Sequence, residues 1–182
     1  MEEQLIIAGF GGQGVQLMGQ LLAKSGMKEN QYVSFLPSYG PEMRGGTTNC
    51  NVVIADEPIA SPIVGEATCA MALNLPSLIK FENSVIPGGV LIVKSSLCNK
   101  PIERKDIRIL KMPANDMALK LGNVRVVNMM MLGAYLEISK ALSVETLMEC
   151  LKETFGERRA HLLPINRQAI ELGAQFAREN LA

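Results

Sequence analysis

The chain has 182 residues, enough for one domain with a buried core, and 48 % of them are hydrophobic. Lysine plus arginine equals aspartate plus glutamate at 18 each, and aromatic residues make up 4 % with no tryptophan. This composition argues against nucleic acid or an anionic membrane as partner, and against an aromatic base-stacking surface. No uncharged apolar run is long enough to span a bilayer, and M-E-E-Q-L-I-I-A at the start carries no signal-peptide core, so the expected location is the cytoplasm.

Residues Gln4 to Ala8 read as a short buried strand bounded by glycines. The period then changes: Val15, Met18 and Leu22, widened by Leu17 and Leu21, make a helical stripe, and Gly26 is expected to end that helix or to lie close to its end. Tyr32 to Leu36 reads as a second strand. Pro37 to Gly46, with two prolines and three glycines, reads as a loop. Thr48 to Ala55 is β-branched in its second half and predicts a third strand, and Ala67 to Leu73 a fourth. Asn74 and Pro76 look like a helix start, with the helix running toward Val85. Pro87-Gly88-Gly89 predicts a turn, Val90 to Val93 and Ile107 to Leu110 two more strands, and Pro113 to Leu121 a short helix.

The last third has no strand signal. Val126 to Leu142 is apolar on nearly all sides, with Met129, Met130 and Met131 in a row, so this helix belongs in a core or in an interface. Ser143 is placed as an N-cap and Gly156 as a stop for the next helix. Ile165, Ala169, Leu172 and Phe176 make a stripe on the final one. Strands alternating with helices predict an α/β fold: an open, mostly parallel, Rossmann-like sheet with helices on both faces and a helical C-terminal third, in one domain over 1–182. Cys50, Cys69, Cys98 and Cys150 are widely spaced and His161 is the single histidine, so no metal or cluster motif is expected and the thiols read as buried and reduced.

Gly9, Gly11 and Gly14 fall on G-x-G-x-x-G between an apolar run and a helix. Glycine permits a tight turn and close approach of a ligand, and the N–H groups opening the next helix suit an anion such as phosphate. The plain alternative is a tight strand-to-helix turn with no ligand. A nicotinamide dinucleotide would need an acid ending the second strand, where the chain reads Ser34-Phe35-Leu36-Pro37-Ser38, so a standard NAD enzyme is rejected. The lysine of a P-loop is missing as well.

The second loop, P-S-Y-G-P-E-M-R-G-G-T-T-N from Pro37 to Asn49, follows the second strand and is expected at the same carboxyl edge. It offers Tyr39, Glu42 and Arg44. Arg44 suits a phosphate or carboxylate held in bidentate fashion, or else a structural ion pair or a solvated charge.

G-F-G-G-Q-G, then S-Y-G-P-E-M-R-G-G, then A-D-E-P-I at Ala55 to Ile59, resembles the gamma subunit of 2-oxoacid:ferredoxin oxidoreductases of the pyruvate and 2-oxoglutarate synthase type, from about Gln4 into the C-terminal helices. The second loop is similar to the 2-oxoglutarate type in particular. The resemblance implies oxidative decarboxylation of a 2-oxoacid to acyl-coenzyme A, with electrons passed to ferredoxin. It implies that thiamine diphosphate, magnesium and [4Fe–4S] clusters sit in alpha, beta and possibly delta partner subunits. It gives this chain a place in subunit assembly and in the coenzyme A cleft, with no catalytic residue and no metal ligand of its own. The residues that match are Gly9, Gly11, Gly12, Gln13 and Gly14 in the first loop, and Ser38, Tyr39, Gly40, Glu42, Arg44, Gly45 and Gly46 in the second. Two other readings stay open: an independent nucleotide-binding protein that uses the first loop, and a pure scaffold subunit.

Overall fold

In the structure, a computed structural model, residues 1–40 and 46–181 are described. Their strands are β1 Glu2–Phe10, β2 Tyr32–Tyr39, β3 Thr47–Ala55, β4 Ala67–Ala72, β5 Val85–Lys94 and β6 Arg108–Met112. Their helices are α1 Val15–Lys28, α2 Leu75–Phe81, α3 Ala114–Lys120, α4 Val127–Ser139, α5 Val144–Arg159 and α6 Leu163–Asn180. The strands form one sheet in the order β2-β3-β1-β4-β5-β6. β1, β4, β5 and β6 pair in parallel, whereas β3 runs antiparallel to both β1 and β2. The sheet is therefore mostly parallel, with one reversed strand. The reason is the connection: too few residues separate Tyr39 from Thr47 for a crossover, so β2 and β3 close as a hairpin.

That hairpin corrects the expected loop at Pro37–Gly46. β2 continues through Pro37, Ser38 and Tyr39, which pair with Cys50, Asn49 and Thr48. β2 is an edge strand, where a proline is tolerated. Gly26 lies close to the end of α1, as expected, two residues before Lys28, and its carbonyl accepts from the Gln31 N–H at 2.9 Å. Close helix–sheet packing also requires a glycine there, since a β-carbon would meet Val33 at 2.7 Å. Pro87-Gly88-Gly89 lies within β5 rather than in a turn before it, next to a register shift between Ala67 and Cys69. The helix opened by Asn74 runs as α-helix to Phe81 and continues as a 3-10 turn over Glu82–Ser84, up to Val85. Asn74 does cap it, accepting from the Ser77 N–H at 2.9 Å.

Alternation along each strand splits the core in two. Leu5 and Ile7 face the layer of α1, α4, α5 and α6, while Ile6, Val53 and Ala70 face the thinner cover that includes Leu78 of α2. Met129, Met130 and Met131 are 1 %, 0 % and 0 % exposed, so the methionine run is core. Ser143 caps α5, accepting from the Thr146 N–H at 3.0 Å, and Gly156 breaks the helical backbone at φ 60°. The expected stripe of α6 faces the core, with Ala169 buried and Ile165, Leu172 and Phe176 partly buried against it, and Asn166, Ile170, Gly173, Ala174 and Ala177 are buried beside them. His161 is exposed before α6.

All four cysteines are buried in the core. Burial pushes the Cys50 thiol up to about 12 and Cys98 up to about 11, and raises Cys69 as well, from an ordinary 9.0. The folded state thus favours the neutral thiols. Their contribution to stability is complete below about pH 9 and is lost as pH rises toward about 12. The native protein is expected to leave its thiols unreactive toward a disulfide reagent at about pH 8, with all reacting on unfolding. A thiol that reacts before unfolding would contradict this placement.

Candidate functional site

The first turn after β1 is built by three devices. The Gln13 N–H donates to the Phe10 carbonyl at 3.1 Å, closing a β-turn with Gly12 at φ +92° in the third position. The Gln13 side chain folds back: its Oε1 accepts from the Phe10 N–H at 2.7 Å, and its Nε2 donates to the Leu73 carbonyl at 3.3 Å. Gly9 makes room for that fold, since a β-carbon there would lie 2.5 Å from the Gln13 oxygen. Gln13 therefore ties the end of β1 to the end of β4.

Gly14 then opens α1 in the left-handed region, at φ +81°, with no side-chain cap and no acid in the first turn. The first intrahelical bond runs from the Met18 N–H to the Gly14 carbonyl at 3.0 Å. The N–H groups of Val15, Gln16 and Leu17 precede it and have no partner within the helix, so the positive end of the helix dipole meets no neutralising acid. A side chain at Gly14 would run into the Asn128 amide of α4. Gly14→Ala is expected to cost about 1–3 kcal/mol, because the backbone conformation and the neighbour both oppose it. Chemical denaturation measures this, and a loss below about 0.5 kcal/mol would contradict it.

The second loop meets the first directly. The Gly11 N–H donates to the Gly46 carbonyl at 3.1 Å, and the Gly40 N–H donates to the Thr47 carbonyl at 2.8 Å. Gln16 reaches from α1 to β3, donating to Thr48 Oγ1 at 2.7 Å and to the Asn49 carbonyl at 3.0 Å. The Thr48 hydroxyl donates onward to the Ser38 carbonyl at 3.3 Å. Between these elements lies a cleft of about 360 Å³, walled by Gly11, Gly12, Gly14, Gln16, Leu17, Tyr39, Gly40, Gly46, Thr47 and Thr48, with no charged residue among the described ones that line it. Tyr39 is 71 % exposed, at the rim. Among the described residues, no three His, Cys, Asp or Glu side chains converge to hold a metal ion.

The model of the pyruvate ferredoxin/flavodoxin oxidoreductase family matches residues 4–176. The chain belongs to this family. It is 38 % identical over 181 residues to the ketoisovalerate oxidoreductase subunit VorA of Methanothermobacter thermautotrophicus, covering 99 % of this chain but 37 % of that protein. The chain thus spans little more than a third of the length of that relative. The gamma subunit of a keto/oxoacid ferredoxin oxidoreductase from Geobacter sulfurreducens superposes with a TM-score of 0.82 at 25 % identity, over 97 % of this chain and 99 % of that one. The 2-oxoglutarate:ferredoxin oxidoreductase of Magnetococcus marinus, a structure with 2-oxoglutarate, coenzyme A and succinyl-CoA bound, has the same fold. It gives a TM-score of 0.89 at 22 % identity, over 98 % of this chain and 31 % of that one.

Within this oxidoreductase family module, the predicted residues separate into two groups. Gly11, Gly12, Gly14, Tyr39, Gly40 and Gly46 wall the cleft, whereas Gly9, Gln13 and Ser38 shape it from behind. Glu42, Arg44 and Gly45 lie outside the described residues. Gln16, Leu17, Thr47 and Thr48 were not anticipated. The hairpin register brings the threonines there, pairing Thr47 with Phe10 and Thr48 with Gly9. The rejection of NAD gains a structural reason: β3 stands between β1 and β2, so the end of β2 is one strand too far from the glycine turn to hold a ribose. At the same edge, Lys94 ends β5 only 4 % exposed, and burial lowers its pKa. No helix among the described residues is long and apolar enough to cross a membrane.

Proposed function

We propose that residues 1–182 form one gamma module of a 2-oxoacid:ferredoxin oxidoreductase, and that its glycine cleft is one wall of the coenzyme A site. The observation that carries this is the bond from the Gly11 N–H to the Gly46 carbonyl, which joins the two family-matching loops over the unpartnered start of α1. The phosphates of coenzyme A carry the charge such a helix start attracts, and glycine brings backbone close to them. The bound coenzyme A of the Magnetococcus marinus enzyme supports the same ligand. Arg44 adds a guanidinium for a phosphate, and Glu42 orients it or pairs with a neighbouring subunit. The chain supplies no acid, base or nucleophile.

The enzyme would oxidise and decarboxylate a 2-oxoacid, transfer the acyl group to the coenzyme A thiol and pass two electrons to ferredoxin. Thiamine diphosphate, magnesium and [4Fe–4S] clusters would be held by alpha, beta and delta partners in the cytoplasm. The second loop favours 2-oxoglutarate, pyruvate is the other acid the family resemblance suggests, and the VorA relative is named for ketoisovalerate, so the assay should include all three acids.

Affinity purification of the chain from its source cell tests the assembly. Copurified chains with thiamine-dependent, coenzyme A-dependent reduction of ferredoxin are expected. A lone chain, with no such activity in any fraction, would overturn the reading. Clear binding of NADH, FAD or ATP by the isolated chain would favour an independent nucleotide-binding protein instead. An Arg44→Ala complex that assembles with unchanged coenzyme A affinity would favour a scaffold.

A further inference from the structure

A second cavity opens at the opposite edge of the sheet, where the parallel strands begin, and measures about 280 Å³. That size suits a small molecule, being below the usual range for drug-sized ligands. Its lining comes from the starts of β1, β4, β5 and β6 and the last turn of α4.

Three features mark it as more than a surface dent. The first is Tyr135, 1 % exposed, whose hydroxyl closes the base of the cavity against Glu3 and Ser139 without a hydrogen bond of 3.5 Å or less among the described residues. Its burial there keeps a phenolic oxygen next to the Glu3 carboxylate.

The second is a pair of opposite charges that face each other without closing. Glu3 is fixed by the Thr68 hydroxyl, which donates to its Oε2 at 2.9 Å. Arg108, exposed at the rim, is near enough to favour the Glu3 carboxylate, yet the two make no ion pair within 4.0 Å. Burial raises the Glu3 pKa, so a cation brought against it would restore the ionised form.

The third is the backbone at Gly88 and Gly89. Gly88 sits at φ +80°, and a β-carbon at Gly89 would lie 2.9 Å from the carbonyl oxygens of both Ile86 and Thr68. The register shift between β4 and β5 falls at the same place. A strand that simply paired would need neither glycine. Here they keep the floor of the cavity clear and two carbonyl acceptors close by.

The inventory is thus a carboxylate, a serine hydroxyl and nearby carbonyls inside, with a guanidinium at the mouth and Ile86, Pro87 and Ile138 as apolar wall. Oxygen acceptors around a carboxylate suit an ammonium, and a guanidinium suits a carboxylate. We propose that this cavity binds a small α-amino acid as its zwitterion, the ammonium against the Glu3 carboxylate, the carboxylate on Arg108, and a small side chain on the apolar wall.

The test is a titration of the full chain with glycine, L-alanine, L-valine and L-glutamate, beside the 2-oxoacid and the amine that correspond to each, following the amide signals of Gly88 and Gly89 by two-dimensional NMR. The expected result is a saturable shift with at least one of the amino acids, with its 2-oxoacid and its amine binding at least about tenfold more weakly. Arg108→Ala should abolish the shift with the fold intact, since the side chain is exposed, and Glu3→Gln should do the same. No saturable shift with any of the four amino acids would overturn the proposal. So would equal binding of the amine or the 2-oxoacid, or an unchanged response in Arg108→Ala.

Discussion

Gly173→Ala is expected to lower the unfolding free energy by about 3 kcal/mol, and Gly133→Ala by a similar amount. α4 and α6 cross at these two residues. A β-carbon on Gly133 would run into the backbone carbonyl of Ile170, and one on Gly173 into that of Met130. The obstacle in each case is main chain inside a helix, which cannot swing aside as a side chain would. The helices must separate, and separation strips contact from Met130, Met131 and Ile170, all 0 % exposed. For a chain of this size, about 3 kcal/mol corresponds to a fall in melting temperature of roughly 6–12 °C. Thermal unfolding of either variant measures it. A shift below about 2 °C would mean that the crossing can relax and that these glycines do not set the distance between the helices.

The second large effect concerns charge in the glycine cleft. Thr47 opens β3 on the cleft wall, and its side chain is exposed. It can therefore be changed with little cost to the fold. A carboxylate there would stand beside the start of α1 and oppose a phosphate, while an ammonium would assist one. Thr47→Glu is expected to weaken coenzyme A binding about tenfold or more, equivalent to about 1.4 kcal/mol, and Thr47→Lys to strengthen it or leave it unchanged. The opposite signs matter, because simple damage to the loop would weaken binding in both variants.

Much of this architecture is legible in the residues, and the parts that are not share a cause. Asn74 and Ser143 announce helix starts because a short polar side chain that accepts from the backbone is a local device. The apolar run of α4 announces a buried helix because no face of it can meet water. Local signals do not show partners distant in sequence. Nothing local shows that Gly26 and Gly19 are needed where Val33 and Phe35 pack against them and a side chain would not fit. Pro37 reads as a loop residue until β2 proves to be an edge strand.

The same distinction runs through the site. The glycines of the first turn are visible because left-handed backbone at Gly12 and Gly14 demands them. The role of Gln13 as a strut to Leu73, and the arrival of Thr47 and Thr48 beside Phe10 and Gly9, depend on how β1, β3 and β4 pair. Tyr135 gives no sign in the sequence that its hydroxyl is buried beside Glu3 and Ser139. Resemblance carried the functional reading further than spacing did, since the glycine motif alone points as readily to a dinucleotide.

The central claim is that this chain walls a coenzyme A site in an assembled 2-oxoacid oxidoreductase without running its chemistry. The direct measurement is the apparent KM for coenzyme A of the complex carrying Thr47→Glu, with saturating 2-oxoacid and electron acceptor. The account predicts a rise of about tenfold or more, with the KM for the 2-oxoacid and the maximal rate near those of the parent enzyme. An unchanged KM for coenzyme A in a fully assembled Thr47→Glu complex would contradict it.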